Sequence, residues 1–233
     1  MSSRDPLREA AETMRAVRDR CVWSQQIDHR ALVPYLVEES AEVIEAVETG
    51  DRAELREELG DLLWQVLFHA EIASRDADDP FDIDDVARVL TEKMVRRHPH
   101  VFAGATANTP EEVLVHWNAA KAAEKRERTS VLDGVSAHMP SLALAQKLLG
   151  RAAQVGVGAA RIGGAPETPR DAPMLERPTD SRPRSEADLG DALLALVAEG
   201  REHGWDAERA LRERLRTLQA DVRAAEAEAP AGL

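Results

Sequence analysis

The 233 residues suffice for one large domain or two small ones, and a chain 43% hydrophobic and 31% charged is no disordered polymer. A formal net charge of −13 argues against a nucleic-acid-binding surface but leaves anionic ligands open, because carboxylate-bound divalent cations invert the local field. The single cysteine, Cys21, excludes an intrachain disulfide, and no stretch approaches the ~20 apolar residues of a membrane span; a soluble cytoplasmic protein with no membrane partner is expected.

Ala, Leu, Glu and Arg dominate, and no segment alternates as a strand does, so the expected fold class is all-α. Helices are expected at about 5–20, 31–49, 52–76, 82–97, 110–127, 140–155, 186–203 and 206–227. Gly50-Asp51 separates the second from the third and predicts a tight helical hairpin. Asp79-Pro80 ends the third, and Thr109 before Pro110 reads as an N-cap with proline at the first helical position.

Between Pro166 and Pro183 lie five of the chain's twelve prolines, among few apolar residues. Such a segment cannot recover its ordering entropy by burial. It predicts a flexible linker over 161–185 between a main domain, 1–160, and a short C-terminal helical unit, 186–233. A faint repeat joins the two: Leu59-Gly60-Asp61-Leu62-Leu63 returns as Leu189-Gly190-Asp191-Ala192-Leu193.

Chemistry concentrates between Glu38 and Asp61, where ten acids face two bases, Arg52 and Arg56. A charge run of this kind is ordinarily a solvated face, but helical geometry argues otherwise here. At ~100° per residue, Leu32, Leu36, Val43 and Val47 form an apolar stripe that contains Glu39 and is edged by Glu42, with Glu38 one step further round. On the next helix Glu58 and then Asp61 flank the stripe of Leu55, Leu59, Leu62, Val66 and Ala70, with His69 along the Glu58 side. Glu39 and Glu42, and Glu58 and Asp61, are i,i+3 pairs, so two antiparallel helices can aim both at one ion. Unpaired carboxylates at such a seam repel and lose hydration, which a hard divalent cation relieves; oxygen donors without thiolates suit Mg²⁺ or Mn²⁺.

Lys93 and Arg97, one turn apart before His98-Pro99-His100, read either as compensation of a helix dipole or as a phosphate clamp. Trp117, one turn before Lys121, reads as a core residue or as a base-stacking platform. His29 and His69 read as satisfied polar groups, and the histidines flanking Pro99 are a weak metal pattern.

The segment LVPYLVEESAEVIEAVETGDRAELREELGDLLWQVLFHAEIA resembles the MazG nucleoside triphosphate pyrophosphohydrolases, whose motif is EExxE followed one helix later by ExxD. KMVRRHPHVFAG, VLVHWNAAKAAEK and SVLDGVSAHMPSLALAQKLLGRAAQVG resemble successive MazG segments, so the likeness runs from about Cys21 to Gly156. It implies an all-α bundle completed by homodimerisation, cleaving a (d)NTP between the α and β phosphates to give (d)NMP and pyrophosphate. By motif position Glu39, Glu42, Glu58 and Asp61 would hold Mg²⁺, with Mn²⁺ able to substitute. Glu38, Lys93, Arg97 and Trp117 would contact the nucleotide, Lys121 would assist, and Glu38 or Glu42 would position the attacking water. The family's CPWDxxQTH segment reads Cys21-Val22-Trp23-Ser24-Gln25-Gln26-Ile27-Asp28-His29 here, which bears on base preference. A second EExxE helix is absent and the second ExxD has become Asp188-x-x-Asp191, so one active site per chain and a non-catalytic C-terminal remnant are expected. Three readings follow: a house-cleaning NTP pyrophosphatase, a narrower dUTP or dCTP pyrophosphatase, and a helical interaction module without turnover.

Overall fold

The computed structural model describes residues 5–124, 129–157 and 183–228. They form ten helices and no strand, so the all-α expectation holds for the described residues. None of these helices is long and apolar enough to cross a membrane. The chain divides into two compact units, Met1–Glu124 and Lys125–Leu233.

The first unit is built round a hairpin of α3 (His29–Thr49) and α4 (Arg52–Ala73). Gly50 ends α3 in the left-handed region, at φ 81°, a conformation that costs a residue with a Cβ. Asp51 then caps α4 by accepting hydrogen bonds from the Ala53 and Glu54 backbone N–H groups. At the other end, Asp28 accepts from the Ala31 N–H at 2.8 Å, which starts α3 two residues earlier than the apolar period suggests. The helix α1 (Pro6–Arg20) packs across α4, and Met14, Leu32, Leu67 and Phe68 form the buried centre between them.

Two short helices lack the length for a readable period. In α2 (Val22–Gln26), buried Ser24 donates its hydroxyl to the Val17 and Cys21 carbonyls and ties this turn to α1. The four-residue α6 (Pro99–Phe102) separates α5 (Ile83–Arg97) from α7 (Pro110–Ala123). Asp82 and Asp85 cap α5 reciprocally, and Thr109 caps α7 ahead of Pro110 as the sequence indicates. Arg75 pairs with Glu71 at 2.7 Å and Asp19 at 2.6 Å, giving the nearly buried Glu71 its counter-charge.

The expected apolar stripes are only partly inward. Leu32 and Ala70 are buried, but Val47, Leu59 and Val66 are 59%, 50% and 40% exposed, and the other burial on α4 falls on residues outside the stripe, Gln65, Leu67 and Phe68 among them. The cause is that α4 packs against α1 and α5 as well as α3, so one 100° stripe does not describe it.

The second unit holds α8 (Ser141–Gln154), α9 (Glu186–Glu202) and α10 (Ala207–Glu228), with Leu149 and Val197 buried. Pro140 leaves α8 without a side-chain cap; Glu208 supplies one by accepting from the Ala143 N–H at 3.3 Å, and Gln146 donates to the Trp205 carbonyl. The 1–160 reading puts α8 with the first unit, whereas α8 packs with α9 and α10. Most of the expected linker, 161–182, lies outside the described residues.

Candidate metal and nucleotide site

The α3–α4 hairpin brings Glu39, Glu58 and Asp61 together, with one carboxylate oxygen from each lying within 4.8 Å of the others. Glu39 and Glu58 are half-buried and Asp61 is exposed. The ion pairs given by the described residues involve other acids, and none includes these three. Burial, followed by the charges of Asp61 and Glu42, pushes the Glu39 carboxyl up from its ordinary range. Burial and then Glu42, Asp61 and Glu39 do the same for Glu58.

Glu42 stands outside the tight group of three, yet its charge acts on both glutamates, so all four expected ligands share one electrostatic neighbourhood. Glu38 contributes more weakly to the field at Glu39. Hard oxygen donors held close, with Glu39 and Glu58 pushed towards protonation by burial and by their acidic neighbours, are a donor set that a divalent cation fits.

A second group forms between α5 and α7. The Arg97 guanidinium lies 4.9 Å from the centre of the Trp117 ring, and its Nε and Nη2 donate to Glu124 at 3.2 and 2.6 Å. The Arg97 side chain is only 11% exposed, and its hydrogen bonds hold the Glu124 carboxyl below the usual range. Lys93 sits one turn before Arg97 and Lys121 one turn after Trp117, both half-buried. His98 packs its ring edgewise on Trp117 at 5.3 Å and directs Nδ1 to the Met94 carbonyl, which is a structural use of that nitrogen.

Gln65 and Glu124 escape the sequence reading, and two histidines that it reads as satisfied polar groups meet each other. Gln65, 5% exposed on α4, places its amide against Glu39 and favours the ionised carboxylate. Glu124, in the run KAAEKRER, is two helical turns from Trp117 and so shares its face. His29 and His69 are joined rather than separately satisfied: their Nδ1 atoms are 2.8 Å apart and their rings are stacked. His69 Nε2 is buried with no partner among the described residues.

The hairpin and its acidic seam thus define an all-α protein with a cation-fitting carboxylate centre, and α5 and α7 add a guanidinium–indole pair. Residues 27–102 match the MazG nucleotide pyrophosphohydrolase domain. The chain is 34% identical over 220 residues to the nucleoside triphosphate pyrophosphohydrolase of Escherichia coli K12, covering 91% of this chain and 83% of that one. It is 36% identical over 198 residues to the nucleoside triphosphate pyrophosphohydrolase/pyrophosphatase MazG of Thermotoga maritima, covering 84% and 75%. A Streptomyces cacaoi protein, described only as an uncharacterized 26.1 kDa protein in the blaB 3' region, is 44% identical over 220 residues, covering 94% and 82%. The chain belongs to the MazG family of nucleoside triphosphate pyrophosphohydrolases.

Proposed function

We propose that this hydrolase cleaves (d)NTPs to (d)NMP and pyrophosphate in a Mg²⁺-dependent reaction, clearing surplus or noncanonical nucleotides from the cytoplasmic pool. The observation that carries the reading is the convergence of Glu39, Glu58 and Asp61, none of which is in an ion pair among the described residues. With Glu42, these residues would hold Mg²⁺, or Mn²⁺ in its place. When bound, the ion neutralises phosphate charge and polarises the phosphoryl group. Glu38 or Glu42, both on the exposed side of α3, orients the attacking water by accepting its hydrogen bond and then its proton. Lys93 and Arg97 offset the charge of the triphosphate, with Lys121 assisting, and Trp117 gives the nucleotide and the Arg97 side chain an aromatic face.

The exposed apolar residues of the hairpin, Val37, Val47, Leu59 and Val66, support a homodimer that completes the bundle. The first domain is the catalytic one in this reading, and α9 and α10 are a remnant without turnover. Incubation with a panel of NTPs and dNTPs in Mg²⁺, followed by ³¹P NMR, is the test. Pyrophosphate and NMP are expected across ribo- and deoxynucleotides. Orthophosphate as the first product rejects cleavage between the α and β phosphates, and activity confined to dUTP or dCTP rejects the broad substrate range.

A further inference from the structure

Beyond the carboxylates, the α3–α4 seam continues as a line of polar groups that hydrolysis leaves unused. Asp61, Gln65 and His69 succeed one another at four-residue intervals, so they share one face of α4. Gln65 is buried, with its amide against Glu39 and its Oε1 without a hydrogen-bond partner among the described residues. One turn further on, His69 Nε2 is also buried and unpartnered, while His69 Nδ1 meets His29 Nδ1 at 2.8 Å. Each such atom carries a desolvation cost that an apolar side chain of similar size would avoid. Two of them, one turn apart beside the acidic centre, point to a role there.

The imidazole contact narrows the possibilities. An Nδ1···Nδ1 hydrogen bond needs one donor and one acceptor. Burial and the neighbouring His29 hold His69 below the usual imidazole range, so a neutral His69 can accept at Nδ1. With His29 donating, the remaining His69 proton sits on Nε2, and the unpartnered acceptor one turn away is Gln65 Oε1. The two make no direct hydrogen bond, so a single water between them would be needed to pair that donor with that acceptor. With that water in place, the bonds would run in one direction, from His29 to His69 to Gln65 to the Glu39 carboxylate.

We propose that Gln65 is the positioning residue of the cation centre, fixing the Glu39 carboxylate, and that the stacked His69–His29 pair braces Gln65 from behind. This rests on Glu39 being a cation ligand. Outer groups of this kind typically change metal affinity 10–100-fold when removed.

Mn²⁺ binding to the intact, nucleotide-free protein, measured by isothermal titration calorimetry for the native chain, Gln65→Met and His69→Phe, tests the proposal. Gln65→Met should weaken Mn²⁺ about 10–100-fold and His69→Phe by a smaller factor, with apo melting temperatures no lower than native. If the native chain binds Mn²⁺ and Gln65→Met binds it within twofold, the positioning role is wrong and the cation site stands. If the native chain binds none, both are wrong. Should Gln65→Met fail to fold, ¹⁵N NMR of the native imidazoles decides: a neutral His69 protonated at Nε2 upholds the chain of bonds, and one protonated at Nδ1 overturns it.

Discussion

Exchanging Glu39 for glutamine should have opposite effects on the metal-free and metal-loaded protein. Two like charges at the 4.8 Å limit that separates the Glu39 and Asp61 oxygens repel by about 0.9 kcal/mol in bulk water and about 3.5 kcal/mol at an effective dielectric of 20. The half-exposed seam belongs nearer the first figure, so Glu39→Gln should stabilise the metal-free first unit by about 1 kcal/mol, or roughly 4 °C in Tm. The sign follows from protonation. Because burial and neighbouring acids raise the Glu39 pKa, the native chain binds more protons than the unfolded one over the window just above the ordinary value of 4.5. Stability is therefore lost as pH rises through that window, and the advantage of Glu39→Gln should be absent below it and reach its full value near neutrality. Metal reverses the order. At 100 times Kd a cation contributes about 2.7 kcal/mol, roughly 10 °C; if the variant binds about 100-fold more weakly, the same concentration gives about 0.4 kcal/mol. Thermal melts by circular dichroism at pH 4 and pH 7.5, with and without Mg²⁺, read all four states. A variant less stable than native without metal at pH 7.5, yet with an undiminished Mg²⁺ response, would refute the reasoning.

Arg97→Lys should raise the KM for NTP by roughly tenfold while leaving nucleotide-free Mg²⁺ stabilisation unchanged, because an ammonium cannot hold Glu124 at two points and lie flat on Trp117; steady-state kinetics with an unchanged KM count against the clamp. Gly50→Ala should cost about 1 kcal/mol in urea unfolding, since φ is 81° while an added Cβ meets nothing within 4 Å. A loss of several kcal/mol would mean the turn is packed more tightly than its surroundings indicate.

What the sequence reveals here depends on whether a signal is local. The hairpin is announced by Gly50-Asp51, and the start of α7 by Thr109-Pro110, because helix ends are settled by the residues that satisfy their own backbone groups. The acidic seam is legible for a related reason: Glu39 falls inside one apolar stripe, and Glu58 and Asp61 flank another, on two helices that Gly50-Asp51 turns towards each other. Period fails for α2 and α6, which at five and four residues complete barely one turn. It misleads on α4, whose inward side is divided among three neighbours. Gln65 gives no sign of itself beyond standing one turn from Asp61, for among Trp64, Val66 and Leu67 a glutamine looks like a solvent-facing interruption. Glu124 is masked by the charges beside it until Arg97 is seen to reach it across α7. The grouping of α8 belongs to the same class of hidden information. Prolines mark where a chain leaves a helix, but the neighbours α8 adopts depend on Glu208 capping its first turn and on Gln146 meeting Trp205, residues about 60 positions away. Local chemistry therefore sets where helices begin, end and collect charge, whereas the groups that tune the centre are recruited by tertiary contact.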